Sequence, residues 1–271
     1  MSRSPVYLRR LSTLAQMASA HKRALPSTVI IGEMKAGTTA LYDYLALHDG
    51  IVPGTQKEIH FFSHYWARGP RWYRSHFPRE SALSHDRSTL EASPSYLFHP
   101  EAATRMHSVL PHARVIVLLR NPIDRAYSHH AYERARGTEW LTFEQSLEAE
   151  ERRMTVPTAR ERSFSRSARR IYSYRLRGQY ADHLRPWLEL FPAEQVRIIT
   201  TERLRESSAE VVAETVSWLG LSEHIKLDLL LPKNEGHYTA PIDPETRARL
   251  ARHYAPHNDE LYELLGRDLG W

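Results

Sequence analysis

Thr28-Val-Ile-Ile-Gly-Glu-Met-Lys-Ala-Gly-Thr-Thr-Ala-Leu41 is the stretch that decides the fold of this chain. It predicts a short buried strand, a tight glycine loop and the start of a helix. Gly32 and Gly37 have the spacing of a phosphate-binding loop, in which backbone N–H groups and a helix N-terminus hold phosphate oxygens. Thr38 stands where nucleotide hydrolases and kinases carry a lysine, and the lysine lies inside the loop, at Lys35. The loop therefore favours a phosphorylated ligand that has no γ-phosphate.

The composition limits the class of protein. The chain has 271 residues, of which 41% are hydrophobic. This length is enough for one large α/β domain with a sizeable core. The formal net charge of +5 favours an anionic ligand or substrate. The chain has no cysteine, which excludes structural disulfides, thiolate catalysis and cysteine-based zinc sites.

The 16 histidines raise the question of a metal site. His60 and His64 are four residues apart, and His129 adjoins His130. No H-E-x-x-H pattern and no cysteine accompanies them. We therefore expect no functional metal.

The rest of the chain alternates between strand-like and helix-like segments. The strand-like runs lie at residues 28–32, 88–91, 114–119 and 196–200. Because such alternation produces a mainly parallel sheet covered by helices on both faces, we expect an α/β fold. Residues 28–271 are predicted to form a single domain with this central parallel sheet.

Two segments fall outside the alternation. Residues 1–27 are predicted to form a basic N-terminal arm, since their short apolar run is too polar for a secretory signal. Residues 148–177 are dense in Arg, Glu and Ser, which is typical of a solvated helix and loop or of a mobile arm over a polar substrate. No nucleic-acid-binding motif accompanies these arginines, so we expect no nucleic-acid partner.

No run of residues approaches the roughly 20 apolar residues of a membrane span, and we expect a soluble, cytoplasmic protein.

A second phosphate site is predicted after the apolar strand 114–119. Arg120 follows this strand directly, at the edge where ligands bind in open α/β sheets. Ser128, two turns into the following helix, is expected to face the same place, because an arginine and a hydroxyl together can clamp a phosphate. A salt bridge from Arg120 to Asp124 is the structural alternative. Two phosphate sites at one sheet edge indicate a nucleotide that is phosphorylated at two positions.

Taken together, these motifs resemble those of the PAPS-dependent sulfotransferases, in the branch that includes the heparan sulfate sulfotransferases and many bacterial enzymes. Lys35-Ala-Gly-Thr-Thr39 is similar to the 5′-phosphosulfate loop of that family, and Arg120-Asn-Pro-x-x-Arg-Ala-Tyr-Ser128 to its 3′-phosphate strand and helix. Lys57-Glu-Ile-His-Phe-Phe62 with Trp72-Tyr73 resembles the segment of the general base. Further similar blocks are Glu91-Ala-Ser-Pro-Ser-Tyr96, Gly178-x-Tyr180 and Lys233-Asn-Glu-Gly-His-Tyr238. The resemblance spans residues 28–271 and implies a P-loop-like sulfotransferase fold.

The resemblance also implies roles for particular residues. The reaction would be in-line transfer of a sulfuryl group from PAPS to a hydroxyl or amine, without a metal. Lys35 would stabilise the leaving phosphate and Glu58 would be the general base, with His60 as the rival base or as a residue that orients Glu58. The implied cofactor contacts are Lys35, Ala36, Gly37, Thr38, Thr39, Arg120, Ser128, Tyr180, Lys233, Asn234, Gly236, His237 and Tyr238. The implied acceptor pocket contains Glu58, His60, Trp72, Tyr73 and Tyr96, although the aromatic members could equally be core residues.

The nature of the acceptor is constrained by one departure from the family pattern. Heparan-modifying relatives often carry a lysine after the glutamate of the Glu91 block, where this chain has Ala92. This difference favours a small-molecule or surface-glycan acceptor over a heparan-like one.

Two other functions compete with sulfuryl transfer. A P-loop kinase or NTPase is disfavoured by Thr38 and by the lack of an obvious magnesium-binding Asp after the strand 114–119. A non-catalytic polyanion-binding protein would use the Arg-rich residues 152–177, but it leaves Lys35 and Glu58 unexplained.

Overall fold

The computed structural model of the chain describes residues 16–84, 87–155, 167–222 and 240–271. These contain a sheet of five parallel strands: β1 Thr28–Gly32, β2 Ile51–Pro53, β3 Ser88–Ala92, β4 Arg114–Leu119 and β5 Val196–Thr200. The spatial order of the strands is β2-β3-β1-β4-β5. The predicted parallel α/β sheet is confirmed. The short edge strand β2 was not predicted, because three residues are too few to show a period.

Helices flank the sheet and include those predicted after β1 and β4. They are α1 Thr38–Leu45, α2 Gly69–Arg74, α3 Ala102–Val109, α4 Pro122–Ala135, α5 Phe143–Thr155, α6 Ala168–Tyr172, α7 Tyr180–Leu190, α8 Thr201–Glu206, α9 Ser208–Trp218 and α10 Pro244–Leu265. None of the helices in the described ranges is both long enough and apolar enough to cross a membrane.

Two apolar cores lie on opposite faces of the sheet, and β1 contributes to both. Val29 packs into one core with Leu184 of α7, whereas Ile30 packs into the other with Leu41 of α1 and Val211 of α9. Successive side chains of a strand point to opposite faces. A strand that is buried on both faces is therefore apolar throughout, which explains why β1 and β4 stand out in the sequence.

The packing of the domain extends N-terminal to β1. Ala20 is fully buried. The backbone carbonyl of Met17 accepts a hydrogen bond from Arg71 Nε at 3.1 Å, and Arg23 Nη1 donates to the carbonyl of Phe77 at 2.7 Å. The described part of the predicted N-terminal arm is thus attached to α2 and the loop that follows it.

In its described parts, 148–155 and 167–177, the arginine-rich segment makes three ion pairs to residues outside it and one, Arg175–Glu150, within it. Each of four arginines pairs with a glutamate whose side chain is buried. The pairs are Arg153–Glu139, Arg170–Glu133, Arg175–Glu150 and Arg177–Glu33. Because these arginines are already neutralised, they are poor ligands for a polyanion, which weakens the polyanion-binding alternative.

Candidate active site

The predicted phosphate-binding loop connects β1 to α1, and two of its positions need glycine. A Cβ atom at Gly32 would lie 2.7 Å from Leu97 Cβ, closer than packed atoms approach. Gly37 has a φ of 89°, a conformation that favours glycine, and it is the N-cap of α1. Since Gly37 has no side chain to cap the helix, the first-turn N–H groups of Thr38 and Thr39 are left to bind an anion.

Residues that are distant in sequence stabilise the phosphate-binding loop through hydrogen bonds and an ion pair. Thr201 Oγ1 lies 2.7 Å from the carbonyl oxygen of Ala36 and 3.0 Å from that of Leu119, and its single O–H is shared between them. Glu33, inside the loop, forms a fully buried ion pair with Arg177. Sequence reasoning missed Glu33, Arg177 and Thr201, because no local spacing connects them.

Lys35 lies on the phosphate-binding loop and contacts the second predicted phosphate site through its backbone. Its φ is 71°, and its Nζ is 4.8 Å from the centroid of the Tyr132 ring, a cation–π contact with helix α4. Its backbone carbonyl accepts a hydrogen bond from Arg120 Nη1 at 3.2 Å. The structure therefore brings Arg120 next to the loop, as the two-phosphate hypothesis requires.

The second predicted phosphate site is largely buried. Arg120 is 7% exposed and Ser128 is 5% exposed. The hydroxyl of the fully buried Tyr180 donates to the carbonyl of Arg120 at 2.7 Å, which makes Tyr180 a support of Arg120 in this structure. Asp124, the alternative partner of Arg120, pairs with Arg247 at 2.6 Å.

The candidate base, Glu58, lies after β2 in residues 57–62, which we call the base loop, next to the phosphate-binding loop and α1. Glu58 Oε2 is 3.3 Å from His60 Nε2, and Glu58 Oε1 is 3.1 Å from Lys57 Nζ. Lys57 Nζ also donates to Thr39 Oγ1 at 2.7 Å. Lys57, which the sequence analysis named only as part of the base motif and gave no role, thus connects the candidate base to the first turn of α1.

Backbone strain coincides with the predicted catalytic residues. Lys35, Glu58 and His60 are the non-glycine residues with positive φ in the described part of the chain, at 71°, 62° and 54°. Such conformations are uncommon for residues with a Cβ atom and cost on the order of 1–3 kcal/mol each. They persist where the surrounding structure enforces them, and they cluster at functional sites.

Electrostatics keep the Glu58 carboxyl ionised. Burial raises its pKa, but the hydrogen bond from His60 and the charge of Lys57 outweigh this effect and lower the pKa to about 2. The ring of His64 lies 4.3 Å from that of His60. Burial, with the nearby charges of His60 and Arg170, lowers the pKa of His64 to about 3. At neutral pH the site therefore presents an anionic Glu58 beside a neutral His64.

The end of β3 fixes the backbone of the base loop. The N–H of Glu58 donates to the carbonyl of Ala92 at 2.9 Å, and the N–H of His60 donates to Ser93 Oγ at 2.9 Å. The Ser93 hydroxyl in turn donates to Glu91 Oε1 at 2.5 Å. Both strained residues are thus anchored to one strand end.

The structure corrects the role predicted for the aromatic residues. Tyr73 and Tyr96 are fully buried, and their hydroxyls donate to the carboxylate of Glu91 at 2.6 and 2.9 Å. Trp72 is 7% exposed and belongs to the same core. These three side chains pack in the core and do not line an acceptor pocket, and the hydroxyls of Tyr73 and Tyr96 satisfy the buried Glu91 carboxylate.

Five of the predicted cofactor contacts cannot be placed. The candidate closing-loop residues Lys233, Asn234, Gly236, His237 and Tyr238 lie outside the described residues.

Within the ranges that the structure describes, no three or more His, Asp or Glu side chains are grouped so as to hold a metal ion.

Comparison with characterised sequences identifies the family. The family model described as the sulfotransferase domain matches residues 25–231 of this chain. The chain is 31% identical over 272 residues to human heparan sulfate glucosamine 3-O-sulfotransferase 6, covering 92% of this chain and 75% of the relative. It is 30% identical over 282 residues to a bifunctional heparan sulfate N-deacetylase/N-sulfotransferase of Drosophila melanogaster, covering 89% of this chain and 26% of the relative. The chain spans between a quarter and a third of the length of the first curated relatives.

A solved structure shows the same fold. The sulfotransferase from Alicyclobacillus acidocaldarius is 29% identical and superposes with a TM-score of 0.74, covering 91% of this chain and 98% of that one. The family model covers well over half of the chain, and its match includes both the phosphate-binding loop and the base loop. The chain belongs to the sulfotransferase family.

Proposed function

We propose that this chain transfers the sulfuryl group of PAPS to a hydroxyl or amine of a small-molecule or glycan acceptor. The observation that carries the proposal is the link between two strained loops. Lys57 hydrogen bonds both to Thr39, in the first turn of α1 directly after the phosphate-binding loop, and to the ionised Glu58. A phosphate-binding loop and a carboxylate base in such close contact suit transfer of a group from a phosphate to a nearby nucleophile.

The residues of the donor site fit PAPS. The first-turn N–H groups of α1, with the hydroxyls of Thr38 and Thr39, would hold the 5′-phosphate. Arg120 and Ser128 would hold the 3′-phosphate, since an arginine binds phosphate oxygens through charge-assisted hydrogen bonds. When bound, PAPS supplies the sulfuryl group, which passes to the acceptor oxygen or nitrogen as the bond from sulfur to the 5′-phosphate oxygen breaks.

Two residues of the chain would act on the reacting atoms. Glu58, ionised at neutral pH, accepts the proton that the acceptor hydroxyl or amine loses. Lys35 stabilises the negative charge that develops on the leaving phosphate, because a cation aimed at developing charge contributes more in the transition state than in the ground state. The cation–π contact with Tyr132 holds the ammonium group of Lys35 in place.

The class of acceptor is proposed from two observations. The names of the human and Drosophila relatives give heparan sulfate as their substrate, which supports a glycan acceptor. Ala92 replaces the lysine that heparan-modifying relatives often carry, which favours a small molecule or a different glycan.

The proposed location of the enzyme is the cytoplasm, which cell fractionation would test.

The donor is tested by thermal unfolding with three ligands: 3′-phosphoadenosine 5′-phosphate (PAP), adenosine 5′-phosphosulfate and Mg-ATP. A ligand at a hundredfold excess over its dissociation constant stabilises the folded state by about 2.7 kcal/mol. We expect PAP to raise the melting temperature most, because only PAP carries the 3′-phosphate that Arg120 would bind. Stabilisation by Mg-ATP alone would contradict the proposal and favour the kinase alternative. Transfer of radiolabelled sulfate from PAPS to a panel of phenols, amines and glycans then identifies the acceptor.

A further inference from the structure

We infer that Lys57 is a ligand of the transferring sulfuryl group and couples the phosphate-binding loop to the general base. The inference rests on the proposed function and extends it to a residue that neither the motifs nor the comparisons assign to the reaction.

The position of Lys57 carries the first part of the argument. Its Nζ atom lies 2.7 Å from Thr39 Oγ1 and 3.1 Å from Glu58 Oε1. Thr39 lies in the first turn of α1, which would hold the 5′-phosphate together with the preceding loop, and Glu58 is the base that would face the acceptor. The sulfuryl group has to lie between these two sites during transfer, and Lys57 is the cation that connects them.

The hydrogen-bonding capacity of Lys57 carries the second part. A lysine ammonium group has three N–H donors. Two of them are directed at Thr39 and Glu58, and the third has no partner among the residues that the structure describes. The side chain is 21% exposed, so a ligand bound beside Thr39 can reach it. A sulfuryl oxygen, which is negatively charged, would accept a short charge-assisted bond from this third donor.

This arrangement also changes the strength of the base. Among the described residues, the charged or titratable groups that act on Glu58 are Lys57 and His60, and together they hold its pKa at about 2 against the effect of burial. A carboxylate with so low a pKa is a weak proton acceptor. Sharing the charge of Lys57 with a sulfuryl oxygen raises the pKa of Glu58, so the base becomes stronger when the donor is in place.

The test compares two ligands that differ only in the sulfuryl group, PAPS and PAP. We expect Lys57→Met to weaken PAPS binding about tenfold or more, the effect of losing one charge-assisted hydrogen bond. Its affinity for PAP should change less than about twofold, because PAP has no sulfuryl oxygens. Lys22→Met is the matched control: it removes the same charge from an exposed position N-terminal to β1 and should bind both ligands as the wild type does.

Each other outcome has a definite meaning. Equal losses of PAPS and PAP affinity would show that Lys57 only supports the loop. Unchanged affinity for both ligands would show that Lys57 does not contact the donor. Either result overturns the inference and leaves the proposed function standing. If the wild type binds neither ligand, the proposed function fails and the inference fails with it. Should Lys57→Met not fold, as judged by circular dichroism, Lys57→Gln provides the same comparison with a polar side chain that can still contact Thr39.

Discussion

His60 Nε2 lies 3.3 Å from Glu58 Oε2, and this contact distinguishes the two candidate bases. If Nε2 donates to the carboxylate it carries a proton, which leaves Nδ1 as the ring nitrogen that would have to accept the proton of the acceptor. Nδ1 of His60 is buried and has no hydrogen-bond partner among the described residues. A buried nitrogen is not accessible to an acceptor, whereas the Glu58 side chain is 41% exposed. The geometry therefore favours Glu58 as the base and His60 as the residue that orients it.

Glu58→Gln should lower kcat by about a hundred- to ten-thousand-fold, the usual contribution of a general base. The affinity for PAP should stay unchanged, because Glu58 would face the acceptor. Steady-state kinetics and calorimetric titration with PAP measure the two quantities. His60→Asn serves as the comparison and should lower kcat less, since it keeps a side chain that can donate to the carboxylate. Loss of all activity in His60→Asn while Glu58→Gln stays active would reverse the assignment.

Arg120→Ala should weaken PAP binding by roughly ten- to a hundredfold. The mutation removes a largely buried cation from the proposed 3′-phosphate site, and hydrogen bonds to charged groups contribute about 1.5–3 kcal/mol. Adenosine 5′-monophosphate, which has no 3′-phosphate, should bind to wild type and variant equally. An equal loss for both nucleotides would mean that Arg120 acts through its hydrogen bond to the Lys35 carbonyl. Arg203→Ala, at a half-exposed position paired with Glu214, provides the control for charge removal.

Ser93→Ala should lower kcat without changing PAP affinity. The Ser93 hydroxyl accepts the N–H of His60 and donates to the buried Glu91, so its removal leaves both groups without that partner. Unsatisfied buried groups cost about 1–3 kcal/mol each, and we expect the free energy of unfolding to fall by that order. Chemical denaturation and kinetics at 10 °C below the new melting temperature separate the two effects. Full activity in the folded variant would show that the base loop keeps its conformation without this anchor. Ser108→Ala, on the exposed part of α3, is the control.

Glu139→Gln should remove a part of the stability that depends on pH. Burial raises the pKa of Glu139, but the bonds from Arg153, the N–H of Leu141 and the Tyr174 hydroxyl lower it to about 2. Because an unfolded glutamate titrates near pH 4.3, the stabilisation is complete above about pH 5 and is lost as the pH falls towards 2. A shift of this size corresponds to about 2–3 kcal/mol.

Urea denaturation between pH 7 and pH 3 provides the measurement for Glu139. The wild type should lose more stability than Glu139→Gln as the pH falls, so that the two curves approach each other. Parallel curves would mean that Arg153 does not hold this carboxylate in the folded state. Glu194→Gln, at an exposed position before β5, should follow the wild type throughout.

Local patterns in the sequence were enough to predict the sheet and the two phosphate-binding segments. A strand buried on both faces has to be apolar throughout, which made β1 and β4 recognisable without any tertiary information. The glycine spacing of residues 32–37 reflects backbone constraints within a few residues, and the structure shows both of them at Gly32 and Gly37. Lys35, Glu58 and His60 were identified from the resemblance of their motifs to those of a known family.

The sequence by itself thus determined the fold class, the phosphate-binding loop and the candidate catalytic residues, because each depends on short-range periodicity or on a contiguous motif. Only the tertiary structure decided how Lys57 meets Thr39, 18 positions away, and how Arg177 meets Glu33, 144 positions away. It also decided that Tyr73 and Tyr96 hydrogen bond to Glu91 in the core, because the sequence around an aromatic residue does not show whether its side chain lies in the core or in a binding pocket. Parallel strands place their carboxyl ends at one edge of the sheet, and the contacts made there depend on the packing of the whole chain.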